Sequence, residues 1–363
     1  MAVSYRLDVR SAAGVLQAEI TDMNWLTYTK RVNWAGMLQF EMAADHDANQ
    51  YLVDKALLEV WRRDVGRGVA WHKDADFIVR SGIYTYPGEG PECYTVYCPG
   101  MLSLLDWRIV AWKAATANRS TFAAVAAETI LKTLVDYNAC ANATVDNGRV
   151  REGAIAGLSI VATAGTGNVI DYNCAWKNLL AACQEVARIG GGDFDLENTA
   201  PATWRLRWHL GQLGTDRSAT VTFALGYGNM ANPQYAENRL EERTVAIVGG
   251  QGEEAARVVS IRTGANYNVT INNVETFVDG RLNATVAALE DAGDITLDQL
   301  EARPSFSFDI VETDACVYNR DFFIGDLVRV RYRTFEQTVK IAGVTIGLAK
   351  DGTETKSFIV ETP

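Results

Sequence analysis

Three histidines, 45 acidic residues and six cysteines are the groups in this 363-residue chain that could carry acid–base, nucleophilic or metal chemistry. His46 in AADHDAN, His72 after Trp71, and His209 on the polar phase of the run from Trp204 to Leu210 have no GxSxG or HExxH around them, so we read them as scattered surface histidines. The carboxylate pairs Asp74/Asp76 and Asp193/Asp195 are of the kind that flanks a scissile glycosidic bond, but a chain with 45 acids places such pairs by chance. Cys93, Cys98, Cys140, Cys174, Cys183 and Cys316 form no CxxC pair, and zinc-ligand spacing is absent. They are read as small buried hydrophobes in a reducing compartment, with Cys174 and Cys183 in one helical segment. GGQGEE at 249–254 runs into two glutamates and lacks a P-loop lysine, and GTGN at 165–168 is too short for a nucleotide fingerprint. Both are read as turns, and no cofactor or metal is expected.

The remaining chemistry lies in GDLVRVRYR, residues 325–333. Strict alternation puts Val328, Val330 and Tyr332 on one strand face and Arg329, Arg331 and Arg333 on the other. Such a row is solvated, binds a polyanion, or meets a carboxylate-rich surface of another subunit; of the functional uses, subunit contact fits an acidic protein best. A second cluster, Arg62, Arg63 and Arg67, ends an earlier strand of the same grammar. The candidate subunit-interface residues are therefore Arg329, Arg331, Arg333, Arg62 and Arg63.

A net charge of −11 argues against a surface that wraps nucleic acid. No apolar run approaches the ~20 residues of a membrane span, so membrane insertion is not expected. MAVSYRLDVR alternates without an apolar h-region, so no secretory signal is expected, and the sequons at Asn118, Asn142, Asn268 and Asn283 are read as chance. Nine tryptophans, six of them in the first third, are placed in strand cores and subunit contacts; stacked aromatics would otherwise suit sugars or bases.

These groups need a scaffold, and the patterning predicts a mainly β protein with an α insertion (α+β). Residues 1–112 alternate as short strands and predict a first small barrel. Residues 113–238 predict two helices and a hairpin. The first helix is capped at Ser120 or Thr121 and carries Phe122, Val125, Ala126, Ile130 and Leu134. The second starts at Asp171 or Asn173, carries Trp176, Leu179, Leu180, Cys183 and Val186, and stops at Gly190–Gly192. The hairpin pairs the run from Trp204 to Leu210 with Val221, Phe223 and Leu225, and GYGNMANPQYAEN is a connection. Residues 239–363 predict a second barrel with a helical insertion near 281–302. The two ends echo each other: LLEVWRR, FIVRSGIYT and CYTVYC against LVRVRYR, TVKIAGVTI and TKSFIVE, with Gly82 and Gly343 in matching places. Two similar barrels flanking a helical middle is the resulting fold.

The runs ITDMNWLTYTKRVNWAGMLQFEMAADHDANQYLVDKALLEVWRR, GIYTYPGEGPECYTVYCPGMLSLLDWRIV, AENRLEERTVAIVGGQGEEAARV and YNRDFFIGDLVRVRYRTFEQTVKIAGVTIGLAKDGTETKSFIVE, in this order, resemble the tail-tip or baseplate hub proteins of tailed bacteriophages, which include the hub module of tail-associated lysins. The resemblance implies a non-enzymatic structural virion protein, a homotrimer whose six barrels ring a channel. That ring would close the tail tube, adapt sixfold tube to threefold tip, and line the path of the tape-measure protein and DNA. The implied partners are distal tail and tail tube proteins, the tape-measure protein, and tip or spike and receptor-binding proteins, with DNA passing unbound. The implied location is the virion tail tip, after synthesis in the bacterial host cytoplasm. The chain ends at Pro363, just past the closing strand, where relatives carry a peptidase or receptor-binding extension, so those activities are expected on other chains. A glycan-binding or glycan-cleaving tail protein is the alternative.

Overall fold

The computed structural model describes residues 3–302 and 305–362 except 87, 89, 114, 115, 117–119 and 284; Asn118 and Pro363 lie outside the described residues. The first part is built of β1 (Ser4–Arg10), β2 (Leu16–Ile20), β3 (Trp25–Arg31), β4 (Trp34–Ala43), β5 (Leu57–Asp64), β6 (Val69–Ile78), β7 (Ser81–Thr85) and β8 (Cys93–Pro99). The middle contains α1 (Ser103–Asp106), β9 (Thr121–Ala126), α2 (Ala127–Ala139), β10 (Leu158–Ile160), β11 (Val169–Asn173), α3 (Leu179–Gly190), β12 (Gly192–Ala200) and β13 (Thr203–Leu210). The last part contains β14 (Thr222–Ala224), β15 (Met230–Ala236), β16 (Val245–Gly249), β17 (Val259–Thr263), β18 (Glu275–Asp279), α4 (Val286–Gln299), β19 (Ser305–Ile310), β20 (Leu327–Tyr332), β21 (Phe335–Leu348) and β22 (Glu354–Glu361). The protein is mainly β, with four helices among the described residues.

The two ends of the chain meet in one sheet of order β14-β20-β21-β3-β4-β8-β7, with β22 also on β21; the junction is the antiparallel ladder from Gly343↔Arg31 to Leu348↔Leu26. A second sheet, β2-β1-β5-β6, folds over it. Leu7, Tyr28, Phe40, Val60 and Val96 from the first part and Phe223, Phe322, Val330 and Ile346 from the last form one core, so burial of apolar surface holds both ends together. Among the described residues no ladder closes a sheet on itself, so the pairing shows open sheets and the two expected closed barrels are not seen.

The echo between the two ends is a repeated ladder. Leu58 pairs Phe77 as Val328 pairs Val339, Gly82 pairs Val96 as Val344 pairs Phe358, and Thr85 pairs Cys93 as Gly347 pairs Thr355. From β6 to β8 the offset is a constant 262 residues, Phe77 to Val339 and Val96 to Phe358. Gly343 therefore falls on Ser81, one residue from the match with Gly82. The two glycines serve different ends: Gly343 follows a register break after Ile341, whereas a Cβ at Gly82 would run into the Tyr94 ring.

The middle has its own core of Leu105, Ile130, Leu134, Leu179, Val186, Phe194 and Leu206. The predicted first helix starts only at Ala127, because Thr121–Ala126 pairs with β11 as a strand and α2 takes over afterwards. α3 starts at Asn178, whose side chain accepts from Ala181 N, and ends where Gly191 adopts φ +67; Trp176 and Cys174 stay outside it. β13 pairs with β12 and not with residues 221–225, which form β14 alongside β20. α4 lies within 281–302 as expected, but it covers the separate sheet β17-β16-β18, so TVAIVGG and ARVVSIRT belong to this insert. β15 pairs antiparallel with β19 across this insert, and β15 sits inside the stretch predicted as a connection. No helix among the described residues is long and apolar enough to cross a membrane.

Candidate assembly interface

β20 buries Val328 and Val330 completely and turns Arg329 and Arg331 outward, as the alternation requires, whereas Arg333 lies past its end in the turn and is exposed. Its two edges are taken by β14 and β21, so the side-chain face is what it offers to a neighbour. Glu336, directly across from Arg331, lies 3.0 Å from Arg331 Nε and 3.6 Å from Arg329 Nη1, and it raises the Arg331 pKa. Arg333 holds the hairpin turn at φ +56 and has no ion pair among the described residues. The row thus sets three guanidinium groups against Glu336, with Asp216 near Arg329 as a second carboxylate.

Arg63 lies with its guanidinium 4.9 Å from the Trp71 ring centroid, on the outside. Arg62 is different: at 0% exposure it points into the joined core, on the same strand phase as Leu58 and Val60. Its Nε and Nη2 donate to the two oxygens of Glu354 on β22, at 2.8 and 3.0 Å, and Tyr5 Oη completes the cluster. Burial disfavours charge on both groups, but their hydrogen bonds and mutual attraction outweigh it, so Arg62 titrates above and Glu354 below its ordinary range. Lys356 Nζ continues the network to Glu354 at 2.7 Å and to Glu312 at 2.6 Å, and Glu312 receives Arg67. Arg62 is therefore a tie between the first and last parts of the chain, and only Arg63 and the 329–333 row stand where another subunit would meet them.

A second buried cluster does the same at Asp74. Its carboxylate takes Lys30 Nζ at 2.8 Å, Tyr28 Oη at 2.5 Å and Asn319 Nδ2 at 3.1 Å, joining β6 and β3 to the segment before β20. Burial would raise its pKa; Lys30 and His72 override that and hold it far below the carboxylate range, while the Asp74 contact raises His72. A third node, Asp193, accepts from Lys340 Nζ at 3.0 Å, Asn33 Nδ2 at 2.9 Å and Leu213 N at 2.9 Å, fastening the middle to both ends.

These contacts account for the acid pairs. Asp74 serves Lys30, Asp76 pairs with Lys73 at 3.1 Å, Asp193 serves Lys340, and Asp195 meets His209 at 2.9 Å. The histidines are part of this: His46 meets Asp22 and His72 meets Asn319, and none faces a nucleophile. No group of three metal-ligating side chains occurs among the described residues. Five cysteines are buried and none is bridged, and burial raises the Cys98 and Cys183 thiols.

The tryptophans depart from the barrel-core part of the sequence reading. None belongs to the joined core; Trp112 and Trp204 are buried in the middle, whereas Trp34, Trp71, Trp107 and Trp176 are exposed. Arginines lie over three of these rings, Arg31 on Trp34, Arg63 on Trp71 and Arg80 on Trp107. Trp34 borders a cavity of about 790 Å³ with Gln184, Asp193, Gln337 and Lys340, where the middle meets both ends.

Solved structures share this fold across the whole chain. A tail protein from Neisseria meningitidis MC58 superposes with a TM-score of 0.57 at 13% identity, covering 99% of this chain and 97% of that one. The 43 kDa tail protein of prophage MuSo2 from Shewanella oneidensis gives 0.58 at 10% identity, covering 99% and 98%. Prophage tail protein gp18 from Listeria monocytogenes EGD-e gives 0.52 at 10% identity, covering 98% and 94%. No curated protein matches the chain. The profile described as Siphovirus ReqiPepy6 Gp37-like protein spans residues 6–359, and the chain belongs to that family of phage tail proteins.

Proposed function

We propose that this phage tail structural protein is the hub of the tail tip: a homotrimer without enzymatic activity, whose doubled unit presents six similar lobes around a channel. Each lobe is a small barrel completed by its neighbours, which fits ladders that stay open in the single chain. Support comes above all from the repeated ladder, with its constant offset between β6–β8 and β21–β22. Two like units per chain let three chains meet a sixfold tube on one side and a threefold tip on the other. The three buried ion clusters fit this use, because they lock both units and the middle into one rigid adaptor. Its partners are the distal tail and tail tube proteins, the tape-measure protein, and tip or spike and receptor-binding proteins. The net charge of −11 suits DNA passing without being bound. One solved structure of similar fold, a Francisella PdpA-VgrG complex, holds its subunit beside another protein.

In this reading the arginine row meets a carboxylate-bearing neighbour. Arg329→Glu combined with Arg331→Glu is expected to shift the melting temperature by less than about 2 °C, since exposed pairs contribute little to folding. The same variant is expected to lose incorporation into tails in a complementation assay. Normal incorporation would show that the row is merely solvated. The glycan reading draws on Trp34 at the cavity edge, but Arg31, 4.8 Å from its centroid, covers the ring a sugar would need.

A further inference from the structure

β21 has both edges filled. β22 runs along one from Lys340 to Leu348; on the other, β20 pairs as far as Lys340 and β3 takes over from Gly343 to Leu348. In the first unit the same path is divided between β6 and β7. β5 lies along β6 and β8 along β7, in the places of β20 and β22. The place of β3 is empty: β7 ends its sheet, and among the described residues it pairs with β8 alone. All five of its residues are exposed, Ile83 at 49% and Tyr84 at 57%, and Ser81–Thr85 contains no charge and no proline. Natural sheets guard such an edge with lysine, proline or a covering element, and an unguarded one is a template for another strand.

The second unit has the matching strand. β3 and β15 each open an antiparallel pair, β3 with β4 through a short turn and β15 with β19 across the insert; each shifts register once against its partner, between Thr29 and Arg31 and between Ala231 and Gln234. The second strand of each pair lies beside the closing strand, β4 on β8 and β19 beside β22. Within one chain β3 already seals the second unit, whereas β15 pairs only with β19 among the described residues and leaves Tyr235 exposed. We infer that β15 of a second copy of this chain adds antiparallel to β7, repeating between copies the junction that β3 and β21 make within one.

This rests on the ring reading and adds the strands that close it. Six equivalent junctions result from three chains, three internal and three between neighbours. Main-chain bonds set affinity, and the apolar side chains Ile83 and Tyr84 set where the strand stops.

The test uses the full-length chain with a photoreactive benzophenone amino acid substituted for Ile83. Irradiation is expected to give a species of two chains, whose cross-linked peptide contains residues 230–236. In parallel, Ile83→Lys is expected to raise the concentration needed for half association by about tenfold or more, with unchanged melting of the single chain. A multimer by light scattering that cross-links at any other peptide, or that tolerates Ile83→Lys, overturns the strand pairing and leaves the ring standing. A chain that stays monomeric overturns the ring reading, and this inference with it.

Discussion

Replacing Arg62 with methionine is expected to destabilise the chain by about 3–5 kcal/mol, nearer the lower end because Lys356 stays 2.7 Å from Glu354. The loss is large because the guanidinium is buried and its two hydrogen bonds satisfy both carboxylate oxygens of Glu354. Removing the guanidinium strands the carboxylate in the core with only Lys356 and Tyr5 to oppose its burial. The pH dependence has a definite sign. Glu354 has a depressed folded-state pKa, so its contribution is present above the unfolded value, about 4.3, and is lost as pH falls through the folded value. The difference between wild type and Arg62→Met should therefore be full at pH 7 and shrink below about pH 4. Adding Glu354→Leu to Arg62→Met should restore part of the loss, because Lys356 keeps Glu312 at 2.6 Å. Denaturant unfolding of wild type and the two variants measures this; an Arg62→Met variant within about 0.5 kcal/mol of wild type would show that the pair ties nothing together.

Asp74→Ala should cost a similar amount, about 3–5 kcal/mol, since it leaves the largely buried Lys30 without its carboxylate, Tyr28 without its acceptor and Asn319 with His72 alone. The folded-state pKa of Asp74 lies far below its unfolded value near 3.9, so its contribution holds across pH 5–8 and fades only in acid below about pH 4. His72 has the opposite sign. Its raised folded pKa contributes stability fully present below about 6.5, and that stability is lost as pH rises through the folded value. Wild type should thus soften slightly as pH rises above about 6.5, and Asp74→Ala should abolish that slope. Unfolding midpoints between pH 2 and 8 read both effects; a slope above pH 6 that survives in the variant would assign it to another group.

Both clusters show what a single sequence reveals and conceals. Arg62 shares the phase of Leu58 and Val60 in LLEVWRR, so alternation alone points it inward; beside Arg63 it was read as part of a surface cluster. Its partner Glu354 lies 292 residues away, and no local pattern announces a pair formed across two ends of a chain. The doubling was legible because strand grammar repeats in order, although glycine matching misplaced it by one residue where ladder register fixes it. The start of α2 was misread because Phe122 and Val125 fit helical spacing, yet pair with β11 as a strand. β15 was missed because Asn232 and Pro233 look like a turn; they form a bulge within a strand. The insert escaped because a three-stranded sheet under one helix reads, strand by strand, like part of any β domain.

The central claim is that this doubled unit assembles by threes, and a cryo-electron microscopy reconstruction of the tail tip tests it most directly. The account predicts three copies around the axis, six similar lobes lining a channel, and β7 of each chain covered by a neighbour. A tip in which this chain is present as a single copy, or in a ring whose copy number is not three, would contradict it.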